Sequence, residues 1–518
     1  MLTDLTSILY LILISILLLL LINPIKFIRD VLKLPGEWAP LRVQLFGVAL
    51  QFLGKTEAQR LKLLQYYAET FPKIGKVWFG HMFVMYLHDP EILQQIYTSK
   101  KCLEKPFFYK FFGFGDGLIT AKVKSWKGHR KILNNAFSTR NLQGFIATFD
   151  ESSKQYVKSL EENLGNGPFD MLNYAVKATL DSICATSFGI NVKAQEKKLN
   201  FNAHLQRIHE LTAIRMFNLH LYSDFIYQQS KYWPEDIVAR SHCLEFGQEL
   251  VKKRRQELVE SNNNYVTDGN GSGYDDEIQD NTFTNKKSEI FVDHLIKSRG
   301  VDDVKFTDNQ IRDHVLTILS AGNETTALGV SFASVFLAMH PDVQEKLYQE
   351  IKDVYGVEGN VPVTYENLRK LEYMDRVIKE TLRLAPSVPL ISRIMTEDTY
   401  FDNGLMLPKG THTLVVIYAL HRLKCYWGEN ADQFDPDNFL PEKVASRHPY
   451  CYLPFSSGIR NCIGQKYALL SMKVMLVNLL LAYKFTTPLK MEDLEFRLDV
   501  SLMLTNEYLI EINRRQDK

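Results

Sequence analysis

Three scarcities each exclude a class of protein. Net charge is nearly absent: 61 Lys and Arg against 60 Asp and Glu leave +1, so no global field draws nucleic acid. Paired cysteine spacing is absent. Cys102, Cys184, Cys243, Cys425, Cys451 and Cys462 are scattered singly, which fits a reducing compartment and not a disulfide framework. Large aliphatics are nearly missing from residues 261–289, where Asn, Gly and Asp dominate. Such a stretch cannot bury a core and is expected to be a disordered surface insertion, not a domain boundary. What is abundant is apolar mass. The chain is 46% hydrophobic over 518 residues, enough for one large enzyme domain.

Leu5 to Ile22 is almost wholly apolar, broken by Thr6, Ser7 and Ser15, and just long enough to span a bilayer. Asp4 precedes it, and Lys26, Arg29 and Lys33 follow. That bias puts the N-terminus in the lumen and the remainder in the cytosol. A cleaved signal peptide would want a basic n-region and a small-residue cleavage site, and neither is there. Residues 1–33 therefore read as an uncleaved anchor with a basic flank. Residues 34–40, with Pro35, Gly36 and Pro40, read as a stiff hinge, and 41–518 as the globular domain.

Along that domain, Lys76–Phe79 and Phe83–Leu87 read as strands joined at Gly80-His81. Asp89-Pro90 opens a helix, with Asp as N-cap and Pro at the first helical position. Phe107 to Phe114 is dense in aromatics but broken by Gly113, Gly115 and Gly117, so it reads as a loop, one that either covers the core or lines an apolar pocket. Trp126 and Arg130 stand four apart on one helix face. Lys122, Lys124, Lys127 and Lys131 surround them, as either a solvated face or a docking patch for an acidic partner. His129 reads as a packing or hydrogen-bonding residue. Residues 141–260 carry helical periodicity. Thr307 and Gln310 form a capping box, and the helix they open runs to Met339, before His340-Pro341. Inside it lies Ala321-Gly322-Asn323-Glu324-Thr325-Thr326. A mid-helix glycine costs about 1 kcal/mol against alanine. Gly322 would thin the helix for a flat ligand, Thr325 can back-bond to a carbonyl, and Glu324 supplies an acid. Gly404 and Pro408-Lys409-Gly410 punctuate a hairpin-like region. Asp499 to Ile512 looks like a final hairpin whose Met503 to Asn506 could reach the pocket.

The most informative stretch is Phe455-Ser456-Ser457-Gly458-Ile459-Arg460-Asn461-Cys462-Ile463-Gly464. Its cysteine sits in a glycine-flanked loop just before an apolar helix, Gln465 to Ala482. A thiolate there is favoured by the helix dipole and by free backbone amides. Gly464 leaves room for a flat cofactor, and Arg460 offers a fork for a carboxylate. Together these read as one axial thiolate for haem iron.

This stretch resembles the haem-binding signature of the cytochrome P-450 family, Phe-x-x-Gly-x-Arg-x-Cys-x-Gly, at every fixed position: Phe455, Gly458, Arg460, Cys462 and Gly464. Trp126 and Arg130 resemble the family's Trp-x-x-x-Arg, which holds a haem propionate, and Arg393 falls where members place another propionate-binding arginine. Ala321 to Thr326 resembles the distal helix, where the acid (Glu324) and threonine (Thr325) guide protons to the oxygen being reduced. Glu380-Thr381-Leu382-Arg383 matches the family's structural Glu-x-x-Arg. Phe434 to Phe439 resembles the meander before the cysteine loop. Many members carry arginine where this chain has Asn438, so a different partner must satisfy Glu380. The branch looks like microsomal family four and its insect relatives. Some of those carry a glutamate that esterifies the haem; Ala321 stands at that position, so no covalent link is expected.

The resemblance implies a mainly α fold with a smaller β region, triangular, enclosing one haem b with the Cys462 thiolate as axial ligand. It implies a monooxygenase that inserts one atom of dioxygen into a lipophilic substrate: a fatty acid, steroid or xenobiotic. Electrons would come from NADPH through an NADPH–cytochrome reductase, with cytochrome b5 as an optional second donor. The site would face the cytosol at the endoplasmic reticulum membrane. Two rivals use the same cysteine: a haem-thiolate isomerase or dehydratase, and a non-catalytic haem or lipid carrier. The Glu324-Thr325 pair counts against the first, and the basic face against the second.

Overall fold

The computed structural model describes residues 25–38, 47–197, 199–267, 290–297, 306–356, 361–402 and 404–515. The expected membrane span, Leu5 to Ile22, lies outside them, as do residues 39–40 of the hinge and 268–289 of the expected insertion. Residues 261–267, read from sequence as part of that insertion, instead continue a helix that ends at Thr267.

Ten helices carry the architecture: α1 (Glu57–Thr70), α2 (Pro90–Thr98), α3 (Val123–Leu133), α4 (Ile146–Ser159), α5 (Met171–Phe188), α6 (Phe201–Phe217), α7 (Trp233–Thr267), α8 (Asp308–Met339), α9 (Glu372–Leu384) and α10 (Gln465–Ala482). The capping signals behave as read. Asp89 accepts from the amides of Glu91 and Ile92, and Thr307 and Gln310 form a reciprocal capping box. α8 is the axis of the domain. From Val315 to Ala338 it is buried on nearly every face, the pattern of a helix that crosses a core. It packs most extensively against α5, and also against α7, α9 and α10. α10 is long and apolar enough to cross a membrane but is mostly buried inside the domain.

The β region is small. β1 (Glu37–Trp38), β2 (Ile74–Phe79), β3 (Met82–Leu87), β5 (Leu390–Ile394) and β8 (His412–Val416) form one sheet in the order β1-β2-β3-β8-β5. β2 and β3 pair antiparallel with Val77 opposite Val84. Gly80, at φ +61°, makes the tight turn between them. β6 (Thr399–Tyr400) and β7 (Met406–Leu407) form the expected hairpin. β4 (Phe169–Asp170), β12 (Leu509–Arg514) and β9 (Tyr483–Thr486) form a third sheet, and β10 (Phe496–Leu498) and β11 (Leu502–Leu504) a fourth.

Two expectations need correction. The aromatic run is a 3₁₀-helix over Phe107–Phe112, ended by Gly113 at φ +75°. Ring stacking, such as Phe108 on Tyr109 and Tyr109 on Phe112, supports this turn. The tail is not a single hairpin: β10 pairs with β11, while β12 pairs with β4 and β9. Thr505 and Asn506 are exposed. The 499–501 turn between β10 and β11 is what reaches α8.

Candidate active site

The cysteine loop is held by contacts from far away in sequence. The Cys462 amide donates to the Phe455 carbonyl at 3.0 Å, and the Ile459 amide donates to the Tyr97 carbonyl at 3.2 Å. Gly458 sits at φ +71°, and a Cβ there would lie 1.9 Å from the Tyr97 oxygen, so only glycine fits. Arg130, on α3, donates from Nη1 to the Asn461 carbonyl at 2.8 Å and from Nη2 to Asn461 Oδ1 at 3.0 Å. Gly464 caps α10. A Cβ on Gly464 would meet only Cys462 Sγ, at 3.9 Å. Cys462 is exposed yet is crowded by surrounding protein. That desolvation pushes its thiol up, while the amides of Gly464 and Gln465 and the charges of Arg130 and Lys105 pull it back.

Beside the sulfur is a crowd of cations. Arg460 is buried and stacks 4.9 Å from the Trp126 ring. Its Nη1 donates to the Leu103 carbonyl at 2.7 Å and its Nη2 to that of Ala121, while its Nε has no partner. Arg393, on β5, lies over Tyr97 at 5.2 Å and reaches the Arg460 carbonyl at 3.4 Å. Burial, with Arg393 adjacent, lowers Arg460 to about 10. Burial, then Arg460 and Arg393, hold Lys105 well below the ordinary lysine value. Like charges packed this closely call for anions. Two propionates would supply them. Among the described residues no three His, Cys, Asp or Glu side chains gather as a metal site, so an iron at Cys462 would take its other ligands from a macrocycle. The residues present thus fit haem. Lys105 was not singled out in the sequence; it precedes the aromatic run without any periodic signature.

On the distal side, Thr325 Oγ1 donates to the Ala321 carbonyl at 2.6 Å, the expected back-bond. Ser387 Oγ donates to the Thr325 carbonyl at 2.9 Å. Gly322 has a different reason from the one expected. A Cβ there would lie 2.7 Å from Ile183 Cδ1, so the glycine lets α8 approach α5. Glu324 is 7% exposed and does not reach bulk water. It meets His209 Nδ1 at 2.8 Å and accepts from Ser501 Oγ at 2.5 Å. Burial pushes its carboxyl up, but His209, Ser501 and Arg497 together hold it below the ordinary value. His209 and Ser501 had no sequence signal.

Below the cysteine loop, Glu380 and Arg383 are fully buried and paired through two 2.7 Å bonds. Arg383 also donates to the carbonyls of His421, Ala431 and Gln433. Glu380 accepts further from the Asp435 amide at 2.8 Å and from Asn438 Nδ2 at 3.1 Å. Asn438 itself is therefore the partner that the missing arginine left open.

Lys122, Lys124, Lys127 and Lys131 are all exposed on or beside α3. His129 pairs with His314 at 3.0 Å, a hydrogen-bonding role. A cavity of about 180 Å³ is lined by Phe114, Phe201, Leu205, Ile208 and Leu316, with Arg240 and Asp313 at its edge. It touches the end of the aromatic run. Leu316 precedes Thr325 by nine residues, about 13 Å along α8, so this cavity lies about two and a half turns from Thr325.

The family model for cytochrome P450 matches residues 38–512. Cytochrome P450 4c21 of Blattella germanica is 34% identical over 481 residues, covering 91% of each chain. Probable cytochrome P450 313a4 of Drosophila melanogaster is 31% identical, covering 95% of each. Cytochrome P450 4V2 of Mus musculus is 32% identical, covering 91% of this chain and 88% of its own. With a thiol at a helix mouth, a crowd of buried cations beside it and matches over nearly the whole length, the chain belongs to the cytochrome P450 family and is a haem-thiolate monooxygenase.

Proposed function

We propose that Cys462 is the axial thiolate of one haem b, framed by Phe455 and Gly464. Trp126, Arg130, Arg393 and Arg460 hold its propionates, with Lys105. The observation that carries this reading is the buried Arg460, with an unpartnered Nε and two neighbouring cations that depress its proton affinity. When bound, the haem supplies oxygen activation, so that one atom of dioxygen enters a C–H or double bond and the other leaves as water. Cys462 supplies electron density. Glu324 and Thr325 serve the proton step: Thr325 carries its hydroxyl on α8, back-bonded to Ala321, and Glu324 holds a carboxylate one residue away, turned about 100° around the helix.

The substrate is lipophilic, a fatty acid, steroid or xenobiotic, since the aromatic turn and the apolar walls of α6 and α8 offer few polar contacts. An NADPH–cytochrome reductase docks on the basic face of α3, and cytochrome b5 can use the same charges. The chain sits at the endoplasmic reticulum membrane on residues 1–33, with residues 34–40 as hinge and 41–518 in the cytosol.

Two measurements test this. Reduced protein with carbon monoxide should show the red-shifted Soret band of thiolate ligation, and Cys462→Ala should lose it. Reconstituted with reductase, the protein should consume NADPH in response to lipophilic candidates. A band that survives Cys462→Ala overturns the ligand. Turnover of a substrate without NADPH would favour the isomerase reading.

A further inference from the structure

Glu324 receives hydrogen bonds from two distant elements. α6 presents His209, whose Nδ1 meets Glu324 Oε2 at 2.8 Å and whose Nε2 meets Ser320 Oγ at 2.8 Å. The turn between β10 and β11 presents Ser501, whose hydroxyl donates to the same oxygen at 2.5 Å. Asp499 belongs to that same turn, its amide bonded to the Ser501 carbonyl at 3.2 Å. Its side chain is 5% exposed and lies 3.2 Å from the Arg497 guanidinium, yet Oδ2 makes no hydrogen bond. Arg497 in turn reaches Glu210, on α6, at 3.8 Å, and both of these are partly exposed. Asp499, Ser501 and Glu324 thus lie in order from the partly exposed Arg497–Glu210 edge to the acid of the distal helix, with Ser501 bonded to Glu324 and Asp499 joined to Ser501 through the backbone of their shared turn.

We propose that the β10–β11 turn is the proton inlet of this site. Asp499 takes protons from solvent at the Arg497–Glu210 edge and passes them through the Ser501 hydroxyl to Glu324, which His209 holds in the receiving position. The proposal rests on the reading that Glu324 serves the proton step. The bookkeeping closes on each passage. The Asp499 carboxyl gives its proton to the Ser501 oxygen as the Ser501 proton moves to Glu324 Oε2. Glu324 becomes the neutral acid, Asp499 the carboxylate, and water at the edge reloads Asp499. A neutral Glu324 carries a proton that it can pass on toward Thr325.

The electrostatics load Asp499 and make each passage to Glu324 uphill, so the transfer is drawn forward by consumption of the proton at the site. Burial raises Asp499 to about 7; Glu210 from α6, Glu324 from α8 and Glu57 from α1 push the same way, and Arg497 opposes them. Asp499 therefore takes up and gives up a proton near neutral pH, whereas Glu324 is held as the carboxylate. His209 and Tyr508 also face Glu324, and Arg497 helps hold its carboxyl down.

The test compares Asp499→Asn, Ser501→Ala, Ser501→Thr and Glu324→Gln with the parent, all haem-loaded and reconstituted with reductase. The readout independent of turnover is infrared difference spectroscopy of the resting protein. A protonated-carboxyl band should titrate near neutral pH and vanish in Asp499→Asn. In turnover, Asp499→Asn and Ser501→Ala should each lower product formed per NADPH several-fold. Peroxide release should rise, the solvent isotope effect should grow, and haem content should be unchanged. Ser501→Thr, which keeps the hydroxyl, should restore coupling. Full coupling in both Asp499→Asn and Ser501→Ala, while Glu324→Gln uncouples, overturns the inlet alone. Full coupling in Glu324→Gln overturns the role of Glu324, and the inlet with it. A parent without the titrating band removes Asp499 as the donor.

Discussion

Asn438→Ala separates what Glu380 gains from Asn438 from what it gains from Arg383. In the folded protein the Glu380 carboxylate accepts four bonds: two from Arg383, one from the Asp435 amide and one from Asn438. Hydrogen bonds to charged groups contribute about 1.5–3 kcal/mol each. The bond at 3.1 Å is the longest of the four, and three donors remain without it. Asn438→Ala should therefore cost near the low end, about 1.5 kcal/mol, or roughly tenfold in the unfolding equilibrium. Glu380→Gln is different in kind. It leaves Arg383 buried with no counter-charge and turns one acceptor into a donor facing other donors, so it should cost about 3–5 kcal/mol. In the Glu380→Gln background, Asn438→Ala should then cost less than about 0.5 kcal/mol, a coupling of about 1 kcal/mol. Restoring arginine should not help: Arg447 already donates to the Asn438 carbonyl and stacks on Trp427 at 3.8 Å, so Asn438→Arg would add a third guanidinium beside Arg383. The assay is urea unfolding of the four members of the cycle, followed by circular dichroism and by the Soret band. Equal cost of Asn438→Ala in both backgrounds would refute the assignment of Asn438 as the partner of Glu380.

Three further outcomes are expected. Thr325→Ala removes the bond to Ala321 but should retain haem; product per NADPH should fall several-fold as peroxide rises, and unchanged coupling would remove Thr325 from the proton step. Lys127→Glu with Lys131→Glu should slow electron transfer from the reductase most at low salt, where the Debye length grows to about 30 Å from about 8 Å at physiological strength. Turnover driven by added oxidant should be spared, and equal loss in both assays would point to a haem defect. The raised Asp499 value of about 7 means the fold binds a proton there that the unfolded chain has already released. Its share of stability is full below the ordinary carboxylate range and is lost as pH rises to about 7. Asp499→Asn should thus gain on the parent between about pH 5 and about pH 8, by at most about 4 kcal/mol. The check is chemical denaturation at both pH values, and a constant difference would refute it.

Local signals survived translation into structure where the chain talks to its neighbours. The Asp89 cap, the Thr307–Gln310 box, the β2–β3 turn at Gly80 and the Thr325 back-bond each involve residues within a few positions, and each forms as read. The Cys462 loop was legible as a motif but not as a shape. Failures cluster where a partner is remote. Gly322 answers to Ile183 on another helix, which no pattern within α8 records. His209 and Ser501 reach Glu324 across 115 and 177 positions. Lys105 joins the cations only after α3 and the cysteine loop have been brought together. The tail misled for a related reason: alternation marks strands but does not say which strands they will join, and β12 pairs with a neighbour more than 300 residues away.

The cysteine loop also has a history. Its shape depends on Tyr97, Leu103, Ala121 and Arg130, yet Arg130 and Asn461 are 331 positions apart. At about 10 residues per second, the ribosome takes about half a minute to deliver the second half of the pocket after the first. Throughout that interval Lys105 and Arg130 lack the loop they will join, Arg393 and Arg460 are still to be made for most of it, and α10 does not yet exist to seat the cysteine. The pocket is completed only once Cys462 and α10 have been made. The prosthetic group is thus a late arrival, taken up after α1 to α9 have been made and not a template around which the early helices form.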